Sequence, residues 1–241
     1  MNGVESLEYR TQMKLKRFFR KPVVTYTFLA IQILVFVLMT FDGGSTNVAT
    51  LIKYGAKFNP YIVLGEWWRL ITPMFLHIGF IHLLMNSVIL YYLGEQLEGM
   101  FGHLRFASIY LLSGIAGNLA SFAFSDALSA GASTALFGLF GSTVMLGQTF
   151  KYNPAVQQMA KSFSVLIILN IVFGLFSSSI DLAGHLGGLL GGFLISTAIS
   201  VPNPVSQWRN KRLLYGGLFG VIVIVLAYLG YLNTPIPFSG I

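Results

Sequence analysis

Ser133 stands in the stretch GASTALFGLFG, residues 131–141, at the head of a long uncharged run. A serine hydroxyl is a weak nucleophile until a base takes its proton. Two other stretches carry groups suited to that work. HIGFIHLLMN holds His77, His82 and Asn86, and GHLGGLLGGF holds His185. His185 is the candidate base. Attack on an amide carbonyl builds charge on oxygen, which needs preorganised donors. His82 and Asn86, four apart on one helix face, and the backbone N–H of Ser133 near a helix start, are candidates for that role. His77 lies nearer the surface and suits a structural or gating hydrogen bond. The only nearby carboxylates, Asp126 and Asp181, fall in outer joints, so a Ser-His dyad is expected rather than a triad. The chain has no cysteine, which excludes thiol chemistry, disulfides and cysteine metal sites.

These groups sit in segments suited to lipid. The chain is 55% hydrophobic and 10% charged, with a mean hydropathy of +0.72, against roughly 25% charge in soluble domains. The uncharged runs are 22–41, 70–94, 106–125, 127–150, 162–180, 182–208 and 213–241, each long enough to span a bilayer. Polar groups inside such runs are costly and usually face a cavity. At about 1.5 Å rise per residue, Ser133 lies about 27 Å above the boundary at Lys151, His82 about 20 Å above Glu95, and His185 about 24 Å above Val201. All three fall in the outer third of a core about 30 Å thick. Gly184, Gly188 and Gly192 recur every four residues, and Ser133, Phe137 and Gly141 share a face at the same spacing, with Gly138 beside it. Small faces of this kind let helices approach closely and would bring Ser133 toward His185.

The charges set an orientation. With the N-terminus inside, twelve of the fifteen Lys and Arg fall in cytoplasmic joints, a strong positive-inside bias. The net charge of +7 follows this topology, so nucleic acid is not expected as a partner. Residues 1–21 read as a basic cytoplasmic leader, and the run 22–41 behind it is too long for a cleaved signal peptide. Residues 22–202 read as a six-span core, and 203–241 as a joint, a seventh span and a short outer tail. The outer joint 42–69, with Tyr54, Tyr61, Trp67 and Trp68, is expected to be partly embedded. Lack of cysteine, lack of a long soluble domain and the C-terminal extra span suggest a bacterial plasma membrane. His103, in a cytoplasmic joint, is expected to be solvated.

The chain resembles the rhomboid family of intramembrane serine proteases over nearly its whole length after the leader. GAS resembles the family's G-x-S-G at Gly131 and Ser133. HIGFIHLLMN matches H-x-x-x-x-H-x-x-x-N, and GHLGGLLGG resembles A-H-x-x-G-x-x-x-G at His185, Gly188 and Gly192. EWWRL resembles a Trp-Arg element of the first outer loop at Trp68 and Arg69, and GEQLEGMFG fits G-x-x-x-E-x-x-x-G through Gly94, Glu98 and Gly102. The resemblance implies an all-α polytopic fold, a six-helix bundle plus a seventh C-terminal helix. It implies Ser133 as nucleophile, His185 as base, His82 and Asn86 at the oxyanion, and Phe137 packed beside His185. It implies no metal or cofactor, and as substrates single-span membrane proteins cut near the outer face. Substrate would enter past the fifth helix, 162–176, with 177–181 capping the site. Arg69, Glu66 and Glu98 read as structural anchors.

Two positions depart from the pattern. Thr134 replaces the motif's second Gly, where a β-branched side chain would crowd the helix contact or the oxyanion turn, and Gly184 replaces Ala. Two alternatives follow: a rhomboid-like pseudoprotease that binds membrane clients uncut, and a small transporter or channel. The second lacks the paired halves or broken midplane helices usual for transporters.

Overall fold

The computed structural model describes residues 21–177, 180–202 and 211–235. The leader up to residue 20, most of the joint after residue 202, the end of the tail and two residues of the capping joint, 178 and 179, lie outside them. Among the described residues the chain is all-helical apart from one isolated antiparallel bridge between Lys57 and Ser129. The helices are α1 (Val23–Phe41), α2 (Val48–Lys53), α3 (Asn59–Val63), α4 (Phe80–Phe101), α5 (His103–Phe124), α6 (Ser133–Thr149), α7 (Pro154–Phe176), α8 (Leu182–Ile199) and α9 (Arg212–Asn233). Two 3-10 turns, Trp67–Leu70 and Thr72–Phe75, lie between α3 and α4.

Five helices, α1, α5, α7, α8 and α9, are long and apolar enough to cross a membrane. The chain is thus an integral multi-pass membrane protein. The other two long helices depart from the expected runs for physical reasons. The run 70–94 is not one helix: Pro73 and Gly79, the latter at φ +79°, keep residues 70–79 in turns, and the helix starts at Phe80. It then continues through Glu95 and Glu98 to Phe101, because Glu98 has partners. Its carboxylate accepts hydrogen bonds from the backbone N–H of Val24 (2.9 Å) and Thr25 (2.8 Å) and from Thr25 Oγ1 (2.7 Å). A carboxylate at the start of α1 satisfies orphan donors and faces the positive end of the helix dipole. His103 pairs with the same carboxylate, so it is not the solvated residue expected from its joint. The run 127–150 gives a 17-residue helix, since its first six residues are spent in the turn before Ser133.

The core is the bundle of α5, α6 and α8, and glycines set its spacing. A Cβ built on Gly188 would lie 2.1 Å from Thr134 O, and one on Gly192 2.0 Å from Gly138 O. A Cβ on Gly141 would lie 2.1 Å from Leu189 O. On the opposite side of α8, Gly187 and Gly191 abut Ala120 and Ala116 of α5. Backbone therefore lies against backbone, and only glycine allows that contact. The expected stripe splits at its outer end: Gly188 and Gly192 meet α6, whereas the carbonyl of Gly184 abuts Gly117 of α5.

The α9 helix lies against α5 and α8 and is tied at both ends. Arg212 donates to the last carbonyls of α8, Ala198 O (2.7 Å) and Ile199 O (2.9 Å). Asn233 donates to Ala123 O (2.9 Å), and Tyr231 packs edge-on against Phe122.

The outer segment 42–69 is a folded cover rather than a free loop. Arg69 is 4% exposed and donates to Ile52 O (2.9 Å), Ala56 O (3.0 Å) and Glu66 Oε2 (2.6 Å), with its guanidinium over Tyr61. Trp68 stays half exposed, as suits an interfacial aromatic. Lys57 is wholly buried. It donates to Ser125 O (2.7 Å) and Ser121 O (3.4 Å) at the end of α5, while its backbone pairs with Ser129. A cation at a helix C-terminus faces the negative end of the dipole.

Gly192→Ala is expected to force α6 and α8 apart and to cost about 1–3 kcal/mol of stability. Gly217→Ala, on α9 where a Cβ meets nothing within 4 Å, should be neutral or stabilise by up to about 1 kcal/mol. Thermal unfolding of both variants in one detergent checks this. Burial holds the Lys57 pKa down, from 10.5 to about 8, with the charges of Asp181 and Asp126 opposing the shift. Between those values the unfolded chain binds more protons than the folded one, so the Lys57 contribution makes stability rise with pH. Lys57→Met should flatten that rise, measured by denaturant unfolding from about pH 7 to about pH 10.

Candidate active site at the outer ends of α4, α6 and α8

Ser133 is the first residue of α6, so its backbone N–H belongs to the helix start and has no intrahelical partner. The turn before it hangs from the segment preceding α4. Gly131 N–H donates to Pro73 O (2.9 Å), and Ala132 N–H donates to His77 Nε2 (3.4 Å). His77 is fully buried and precedes the helix rather than belonging to it.

Gly131 adopts φ +145°, and a Cβ there would lie 2.6 Å from His82 Cε1, 2.8 Å from His82 Nε2 and 3.7 Å from Ser133 Oγ. The missing side chain thus leaves the space that His82 and the serine hydroxyl border together. His82 Nδ1 accepts from Ile78 N–H (3.4 Å). An acceptor at Nδ1 leaves the proton of the neutral ring on Nε2, the nitrogen facing Gly131. Asn86, buried, donates one amide hydrogen to His82 O (2.8 Å) and keeps the other.

His185 lies on the first turn of α8, and its ring stacks on Phe137 with centroids 4.2 Å apart and planes 6° from parallel. The helices fix its level. Gly188, one turn further along, sits on Thr134 O and Phe137 Cβ, so His185 and Ser133 occupy the N-terminal ends of the same α6–α8 contact. Among the described residues no hydrogen bond joins them. Catalytic hydrogen bonds are commonly long without substrate and tighten on binding. The Asp181 carboxylate accepts from Gly184 N–H (2.9 Å) and caps α8 without bonding His185.

Sequence reasoning did not find the group that does bond His185. Asn170 Oδ1, on α7, lies 2.9 Å from His185 Nδ1. The signal was a single amide in the apolar stretch LIILNIVF, and polar groups at such depth have partners. Thr134 is buried, with its Cβ 2.8 Å from where a Gly117 Cβ would stand. Its side chain therefore faces α5, and Gly117 makes the room that the motif's usual Gly would not need. The crowding expected from Thr134 is accommodated there.

A serine at a helix start, bordered by a histidine N–H and placed at one level with a second histidine, has the parts for nucleophilic attack on a carbonyl. The Rhomboid domain model matches residues 64–202. The chain is 43% identical over 215 residues to Rhomboid protease GluP of Bacillus subtilis, covering 89% of this chain and 42% of that protein. It is 37% identical over 177 residues to the Putative rhomboid protease YdcA of the same species, covering 73% of this chain and 87% of that protein. It is 38% identical over 151 residues to Rhomboid-like protease 1 of Toxoplasma gondii, covering 60% and 51%. The chain belongs to the rhomboid family. It spans less than half the length of GluP.

Gly131→Ala should push His82 away from Ser133, since the new methyl has no space and the backbone lies at positive φ. The expected result is a shift of the His82 signals in spectra of 15N-histidine protein, with those of His103 unmoved, and a stability loss of about 1–3 kcal/mol.

Proposed function

We propose that this chain is an intramembrane serine endopeptidase that cuts transmembrane segments of single-span membrane proteins near the outer membrane face. The reading takes the N-terminus as cytoplasmic, six helices as the catalytic core and α9 as a seventh span. What supports it is the start of α4, α6 and α8: the missing side chain of Gly131 leaves a space that His82 and Ser133 Oγ border, and Gly188 lies against Thr134 O, one turn from His185.

In this reading His185 Nε2 takes the Ser133 proton as Oγ attacks the carbonyl carbon of the scissile amide. The oxygen gains negative charge and accepts hydrogen bonds from His82 Nε2–H, the free amide hydrogen of Asn86 and the Ser133 backbone N–H. Collapse of the tetrahedral species breaks the C–N bond, and the leaving nitrogen takes the proton from His185. Water, deprotonated by His185, then attacks the acyl-serine ester and releases the acid. The partial exposure of Ser133 at the head of a mostly buried helix supports access for water. Phe137 holds the imidazole plane. Gly131, Gly188 and Gly192 keep the space, His77 holds the turn before Ser133, and Trp68, Arg69 and Glu98 hold the frame. The lipid bilayer and transmembrane proteins are the partners. The bacterial plasma membrane is the setting, in keeping with relatives in Bacillus subtilis. The orientation of Thr134 toward Gly117 favours an active enzyme over a pseudoprotease, because the departure from the motif does not fill the site.

A serine-reactive fluorophosphonate should label the wild type and leave Ser133→Ala and His185→Ala unlabelled. In liposomes a single-span substrate should be cut by the wild type, and His82→Ala should lower kcat by about 10²–10³. Labelling of Ser133→Ala at the wild-type level would remove the protease reading. Labelling of Ser133 without cleavage of any single-span substrate would favour the pseudoprotease.

A further inference from the structure

The α7 helix is, with α9, the least buried of the membrane-length helices. Its lipid-facing residues, among them Leu169, Val172 and Phe173, are exposed. An apolar groove of about 600 Å³ separates it from α8, with Ile167 and Ile168 on one wall and Leu186, Leu189, Leu190 and Phe193 on the other. At the inner end Gln157 ties α7 to Gly147 O (2.7 Å), and in the middle Phe163 stacks on Phe140. Over residues 165–176 Ile167 and Ile171 pack on the core, and the bond between His185 and Asn170 is the side-chain hydrogen bond to another helix among the described residues.

Resting on the protease reading above, we propose that Asn170 is a positioning residue for the reaction: it fixes the tautomer and plane of His185 and makes them depend on α7 lying in place. The amide oxygen of Asn170 is an acceptor only, so the His185 nitrogen facing it, Nδ1, carries the proton. Nε2 then bears the lone pair that a base for Ser133 requires. Phe137 fixes the ring from its face and Asn170 from its edge, leaving Nε2 as the free corner. Among the described residues no carboxylate bonds the ring, so the orienting group is neutral. Because the bond crosses from α7 to α8 above the groove, displacement of α7 releases His185 Nδ1. The base is therefore set only with α7 docked.

The test uses full-length protein in liposomes and the variants Asn170→Leu, which keeps the volume, and Asn170→Asp, which keeps the acceptor. The expected results are a kcat loss of about 10- to 100-fold for Asn170→Leu, no more than the lower end of the roughly 10²–10⁴ that a base supplies, with KM held within about two-fold, and recovery of most of that loss in Asn170→Asp. The negative charge of Asn170→Asp should also move the acid limb of the kcat profile to higher pH, a shift that a packing role would not produce. The 15N spectrum of neutral His185 should show the proton on Nδ1 in the wild type and a mixture of tautomers in Asn170→Leu. Wild-type kcat and pH profile in Asn170→Leu, or an Nε2-protonated His185 in the wild type, would overturn the proposal. The tautomer measurement needs no turnover. A protein that cuts nothing yet loses the Nδ1 proton in Asn170→Leu would contradict the protease reading while leaving the orienting bond standing.

Discussion

The whole arrangement depends on backbone touching backbone between α6 and α8. Thr134 and Gly138 present their carbonyls where Gly188 and Gly192 have no side chain, and no larger residue fits at those distances. In lipid there is no hydrophobic force to press helices together, so close packing and weak Cα–H···O contacts must supply the attraction. Both helices begin at the same end of the bundle and run parallel, so the glycine contact fixes their relative level. Once Gly188 is seated on Thr134, His185 and Ser133 are the next residues outward. Gly187 and Gly191 repeat the device against α5, which locks α8 from two sides.

The second requirement is that polar groups inside this bundle be satisfied, since each unpaired one is costly away from water. The molecule meets it mainly with main-chain partners. Lys57 and Asn59 cap the outer end of α5, Arg69 holds two carbonyls of the cover, and Glu98 caps α1 at the other end of the molecule. The Lys57–Ser129 bridge joins the outer cover to the segment that becomes the Ser133 turn. The cover thus does more than shield the bundle: it holds the turn at Gly131 from one side, while His77 and Pro73 hold it from another.

How much of this was legible follows from what each feature needs. Uncharged runs, small-residue spacing and the polar residues within apolar segments are local patterns, and they located the long helices, Ser133, His82 and His185. The break at residues 70–79 was less visible because uncharged turn residues look like span residues by composition, although Pro73 and Gly79 were there to be weighed. Glu98 was read as an anchor, but its partners Thr25 and His103 lie on other helices, and no spacing rule connects them. Asn170 was missed for the same reason: its partner is 15 residues away on another helix. Thr134 looked like a defect because its consequence depends on Gly117, a residue of α5 that only the fold places opposite it.

The central claim is that a hydroxyl on α6 and an imidazole on α8 meet in one pocket bordered by His82. A structure of the protein in lipid after reaction with a fluorophosphonate tests it most directly. The account predicts phosphorus bonded to Ser133 Oγ, with His82 Nε2 and His185 Nε2 both within hydrogen-bonding reach of the adduct. An adduct on another residue, or a His185 ring turned away from Ser133 with lipid or packed side chains between them, would contradict it.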